Sequence, residues 1–119
     1  MMKRKKDDEI RKASYLGGFE ELILLALLRL PENAYGVTIH QEIQERTGRF
    51  TSLGAVYTTL DRLEEKGFVS SWIGEATPER GGRAKRYFKI EAAGEAALRQ
   101  TRKAHQNMAK GLKPIMEVL

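Results

Sequence analysis

A chain of 119 residues, 41% of them hydrophobic, has room for one small domain and an appended helix, with a core that gives little stability of its own. The absence of cysteine excludes disulfides and thiolate metal sites and fits a reducing compartment. No apolar run reaches the roughly 18 residues of a membrane span, and the basic start Met1 to Arg4 leads into Asp7-Asp8-Glu9 instead of an apolar signal core. The expectation is a soluble cytoplasmic protein without membrane contact. The net charge of +5 is unevenly spread. Residues 1–12 hold six basic and three acidic side chains, residues 13–75 five and nine, and residues 91–119 five and three. Residues 76–90 set Arg80, Arg83, Lys85, Arg86 and Lys89 against Glu79 alone. A mildly acidic body thus carries a basic arm and one strongly basic stretch.

The first 15 residues are charged and poor in apolar side chains, so they read as an arm outside the core. From Phe19 to Leu30 the chain is apolar nearly all round a helix, which requires cover on two sides: the domain's own core and a partner chain. Pro31 stops this helix, and Asn33 is placed to cap a second over about Ala34 to Arg46, with Val37, Ile39 and Ile43 inward. Thr47-Gly48 ends it. After Arg49-Phe50-Thr51 a third helix begins, with Thr51 or Ser52 as cap and Val56, Leu60 and Leu63 on its packing stripe. Gly67 closes it. Phe68 to Ile73 reads as a strand, Gly74 to Ala84 as a loop broken by Thr77-Pro78 and Gly81-Gly82, and Lys85 to Ile90 as the returning strand. Glu91 to Lys113 is Ala-, Gln-, Lys- and Arg-rich and therefore helical. Its residues Leu98, Thr101, His105, Met108, Leu112, Ile115 and Leu119 fall at spacings of three and four, a weak heptad-like seam interrupted by Pro114.

Three helices followed by a strand, a basic loop and a second strand describe a helix-turn-helix with a wing, an α+β fold that is mainly α. The boundaries are an arm over 1–15, a winged-helix domain over 16–90 and a dimerisation helix over 91–119. In such a domain the third helix projects its free face into the major groove of double-stranded DNA, amino end nearest the bases. That face carries Ser52, Gly54, Ala55, Tyr57, Thr58 and Arg62. Hydroxyls can bond base edges or phosphates, small residues allow close approach, and arginine can take guanine or a phosphate. Asp61, Glu64 and Glu65 in the second half of the helix would repel phosphate. Attraction is therefore expected from the wing, where Arg80, Arg83, Lys85 and Arg86 flank a flexible Gly81-Gly82 tip and can reach a backbone or a narrow minor groove. Trp72 is expected to pack the hairpin. His40 and His105 are read as surface and seam residues, with no metal site. No nucleophile, acid–base pair or phosphate loop stands out, so no enzyme and no cofactor is expected.

The stretch Ser52-Leu53-Gly54-Ala55-Val56-Tyr57-Thr58-Thr59-Leu60-Asp61-Arg62-Leu63-Glu64-Glu65-Lys66-Gly67-Phe68-Val69 resembles the recognition helix of PadR-family transcription regulators. So do Ala34-Tyr35-Gly36 and the segment from Gly81-Gly82-Arg83 to Arg86-Tyr87-Phe88 leading into Ala93-Gly94. The resemblance covers about residues 16–100. It implies a homodimer held by the first and last helices, with each protomer on half of an inverted repeat, and repression of nearby genes. It also implies DNA contacts from Tyr35 and Tyr57, close approach at Gly54, and wing contacts from Gly82, Arg83 and Arg86. A single final helix matches the short branch of the family. Some members hold planar drugs with a tryptophan between their final helices; this chain has no aromatic residue after Phe88. Any inducer is unknown.

The expected function is a sequence-specific DNA-binding repressor, dimerising through Leu22 and Leu25 of the first helix and Leu98, Met108, Leu112 and Ile115 of the last. The alternative is a winged-helix module whose basic hairpin binds an acidic protein.

Overall fold

The computed structural model describes residues 15–74 and 84–112. Within them the chain forms α1 (Gly18–Arg29), α2 (Gly36–Thr47), α3 (Leu53–Glu65), β1 (Val69–Ile73), β2 (Arg86–Ile90) and α4 (Ala92–Ala109). The wing tip with Arg80, Gly82 and Arg83, the arm up to residue 14 and the tail with Ile115 lie outside the described residues.

α1 starts where the Glu20 carboxylate accepts the Gly17 amide at 2.8 Å, with Glu21 beside it, two anions at the end a helix dipole favours. Ile23, Leu24, Ala26 and Leu27 are buried. Leu22 and Leu25 are half-buried and Leu28 is exposed, so the second apolar side of α1 lacks cover within the protomer. Pro31 follows the helix end.

α2 begins two residues later than its pattern predicts, and Asn33 is not its cap. Ala34 and Tyr35 are drawn into extended backbone beside the hairpin: the Phe88 amide donates to the Ala34 carbonyl at 2.8 Å, and Tyr35 bridges Tyr87. Thr38 closes the turn by accepting the Tyr35 amide and donating its hydroxyl to the Asn33 carbonyl. Val37 faces outward, because at 3.6 residues per turn it lies about 200° from Ile39, and only Ile39 and Ile43 of that stripe lie in the core.

α3 is capped by Ser52, whose hydroxyl accepts the Ala55 amide at 3.0 Å. At its end Gly67 takes a left-handed conformation (φ 79°), with the Phe68 amide bonded to the Leu63 carbonyl and that of Gly67 to Glu64. Val56, Leu60 and Leu63 are fully buried. β1 and β2 pair antiparallel from Val69 opposite Ile90 to Ile73 opposite Arg86. α4 then leaves the sheet so closely that a Cβ at Gly94 would lie 2.2 Å from the Phe68 carbonyl oxygen, which explains a glycine inside a helix.

The seam on α4 divides. Leu98 and Thr101 are buried in the protomer itself, Leu98 at 5% exposure against the α1 core and Thr101 accepting the Leu16 amide at 3.0 Å. Leu98 is thus a core residue of one chain and is not free to face a partner. The helix also ends at Ala109, before Pro114: Lys110 is extended and Gly111 left-handed at φ 90°. Leu112 consequently lies past the helix. What remains uncovered is Met108, 81% exposed, with Leu112 beyond it. Two carboxylate clusters join the helices, Lys66 to Glu20 at 2.9 Å and Arg102 to Glu21 at 3.0 Å, the latter with His105 at 3.6 Å. Burial alone would raise the Glu20 carboxyl, but the Gly17 amide and then Lys66 outweigh it and hold the group below its usual range.

Candidate nucleic-acid interface

The free face of α3 is assembled as its spacing predicts. Ser52, Gly54, Tyr57, Thr58 and Arg62 are exposed and Ala55 is half-buried, while the intervening Val56, Thr59, Leu60 and Leu63 point into the protomer. From Leu53 to Leu60 the helix has no charged side chain. Tyr57 is only partly free: its ring lies against the start of α2, where a Cβ on Gly36 would come within 2.3 Å of both Cζ and the hydroxyl oxygen. Gly36 is therefore the seat of Tyr57. The turn ahead of α3 is held from α2. His40 Nε2 lies 2.6 Å from the Thr51 carbonyl oxygen, and Thr47 Oγ1 accepts the Arg49 amide. His40 is thus a strut between the two helices of the motif, beyond the surface residue its pattern suggests.

Arg86 stands apart from the other wing cations. Its Nη1 donates to Asp61 at 3.0 Å, its Nη2 to Glu64 and its Nε to Ser71, while the guanidinium covers the Phe88 ring at 4.8 Å. Burial opposes its charge, but the Asp61 and Glu64 hydrogen bonds raise its pKa further above the usual value. Glu64 accepts the Ser71 hydroxyl at 2.7 Å, and this bond, ahead of Arg86, holds its carboxyl below the ordinary value of 4.5. Each of the three guanidinium nitrogens thus donates to the protein, although the side chain stays 35% exposed. Of the three carboxylates of α3 that would repel phosphate, Arg86 pairs two, Asp61 and Glu64, and Glu65 stays exposed. An exposed acid pair on a groove-facing helix is the sequence signal that calls for such a cation, but nothing local assigns it to a residue in the hairpin.

At the base of the wing three aromatic rings meet. Tyr87 stacks on Trp72 at 5.8 Å and meets Tyr35 edge-on at 5.6 Å. Lys85 Nζ sits 4.5 Å above the Tyr35 ring and 3.4 Å from its hydroxyl. Trp72 packs the hairpin as its strand position predicts. Tyr35 and Lys85 are brought together from 50 residues apart, an encounter no periodicity announces. Among the described residues no cluster of three His, Asp or Glu could hold a metal ion, and no helix is long and apolar enough to cross a membrane.

A helix-turn-helix whose second helix carries an open face, uncharged over its amino half, flanked by a two-stranded hairpin, defines the winged-helix class. The comparisons agree. Residues 24–100 match the transcriptional regulator PadR-like family, and the chain belongs to that family, one of DNA-binding transcriptional regulators and not of enzymes. A PadR-like transcription factor from Bacteroides fragilis shares the fold at 24% identity and a TM-score of 0.68, covering 94% of this chain and 99% of that one. A PadR family regulator from Clostridium difficile does so at 20% identity and 0.63, covering 83% and 99%. The Orc1 protein of Aeropyrum pernix, solved in complex with DNA, matches at 21% identity and 0.61 over 86% of this chain and 28% of its own. Among curated protein sequences none matches.

Proposed function

We propose that the protein is a homodimeric repressor that reads an inverted repeat, each protomer placing the amino half of α3 in a major groove and its wing beside it. The observation that carries this reading is the division of charge on α3: an open, uncharged amino half, and a carboxyl half in which Arg86 pairs two of the three acids, Asp61 and Glu64. Base selection belongs to Ser52, Gly54, Ala55, Tyr57 and Thr58. Attraction to phosphate belongs to Arg62, Lys85 and the tip residues Arg80 and Arg83 around Gly82, with Tyr35 beside Lys85. Arg86 serves a different purpose and positions the wing against α3.

Dimerisation rests on two apolar surfaces left open by the protomer. Met108 and Leu112 stand past the domain on one side. On the other, Leu22, Leu25 and Ala26 of α1 line a groove closed by Ile43 and Thr47 of α2.

The test is selection of bound sequences from a random DNA pool, followed by footprinting. Two-fold protection of an inverted repeat is expected, with affinity falling steeply as salt rises. Arg80→Ala combined with Arg83→Ala removes two cations from each protomer and should lower the slope of log affinity against log salt by about 4 for the dimer. Retention of random DNA with no selected sequence would overturn site-specific regulation, and a rise in transcription of a reporter carrying the selected site would overturn repression.

A further inference from the structure

The amino end of the recognition helix is not only uncharged but apolar. Phe50, in the turn before α3, is 85% exposed, and Leu53, the first residue of the helix, is 39% exposed. Tyr57, one helical turn after Leu53, adds the ring seated on Gly36. Between them Gly54 is open: an added Cβ would touch nothing closer than Ser52 Oγ at 3.9 Å. The turn is not loose, since His40 and Thr47 fix it from α2. Its one cation, Arg49, has its guanidinium 5.1 Å from the Phe19 ring of α1, away from a pairing role at this face. A phenyl and an isobutyl group are thus held toward water on the surface that a winged helix brings nearest to base edges.

We infer that Phe50 and Leu53 are specificity-determining residues that read thymine through its 5-methyl group in the major groove. This rests on the DNA-binding reading of the same face. Of the four base edges in that groove only thymine presents a methyl group, and apolar side chains are its natural contact. The bidentate contact that reads guanine most often uses a cation, and from Leu53 to Leu60 there is none. A phosphate contact would give Phe50 no favourable partner, whereas a methyl removes apolar surface from water on both sides. Gly54 lets the base edge come close enough for the contact.

The experiment uses the full-length protein and its selected operator. Each thymine of a half-site is replaced in turn by deoxyuridine, which removes the methyl and leaves every hydrogen-bonding group in place. Dissociation constants are expected to rise about fourfold for each methyl that is buried, the equivalent of one methylene. In Phe50→Ala and Leu53→Ala the unmodified operator should bind more weakly and the deoxyuridine penalty at the contacted position should vanish. Both side chains are exposed, and unchanged thermal melting of the two variants separates lost contact from lost fold. A selected half-site without thymine at the α3 positions overturns the inference. So does a site-specific protein whose binding is unaffected by every deoxyuridine, although regulation itself would then stand. Absence of any selected site overturns both readings.

Discussion

At Gly36 an added Cβ would lie 2.3 Å from the Tyr57 ring, whereas at Gly54 it would meet only Ser52 Oγ at 3.9 Å. The first glycine is required by the protomer and the second is not. Gly36→Ala must displace a ring packed against backbone, so it should cost about 1–3 kcal/mol in a denaturant titration. Gly54→Ala should leave stability unchanged or raise it by up to about 1 kcal/mol, since alanine favours a helix. Yet it should weaken binding to the selected operator, because its methyl enters space proposed for a base edge. Equal affinity of Gly54→Ala and the parent protein would remove close approach at this position. The same distinction applies to Arg86, a wing arginine by sequence and a tie between hairpin and helix by geometry.

The contact between β2 and α3 acts at the scale of elements. One guanidinium holds the returning strand against Asp61 and Glu64 and also reaches Ser71 on the opposite strand. Its side chain is about one-third exposed, so the contribution to stability is modest, about 1 kcal/mol. Its effect on binding should be larger. Arg86→Ala should both let the hairpin shift and uncover two carboxylates near the DNA, and Arg86→Lys should not restore affinity because an ammonium cannot span both acids. Full rescue by lysine would show that charge alone matters. The pairing also sets a pH dependence. Glu64 is held below its ordinary 4.5 by Ser71 and Arg86, so its stabilising effect is present above that value and fades as pH falls through the lowered folded value. Glu20 shifts the same way. The melting temperature of Glu64→Gln should therefore lie below that of the parent at pH 7 and converge with it in acid below pH 4.5. A gap that stays constant with pH would mean that the carboxylate charge plays no part.

For the whole molecule, the decisive feature is that α4 serves two purposes along its length. Its first half completes the protomer core through Ala97, Leu98 and Thr101, and its end stands clear of it. Leu98→Ala should therefore destabilise the fold itself by about 2–4 kcal/mol. Met108→Glu places a charge on an exposed apolar position and should leave a folded protomer while shifting sedimentation toward the monomer. If Met108→Glu sedimented as the parent does, the helix end would not be the dimer contact. A half-site protein without its partner should then lose most of its operator affinity, because the second half-site no longer adds to the first.

The sequence by itself determined the order of elements, the three buried positions of α3, the glycine at its end, the hairpin and the family to which these belong. Each follows from a local rule: period 3.6 for a packed helix, β-rich segments around a loop, and a left-handed turn that glycine adopts without strain. The uncharged amino half of α3 was legible for the same reason. Tertiary structure alone decided which side chains meet. Ala34 and Tyr35 became extended because β2 lies beside them, and that moved the start of α2. Leu98 and Met108 occupy equivalent seam positions in the sequence, but only the first has α1 beneath it. Arg86 carries the same charge as its wing neighbours, and its reach to Asp61 and Glu64 arises only once the strand folds back along the helix. Periodicity reports which face of an element is apolar. It carries no information about what that face, or a charge at its edge, will touch.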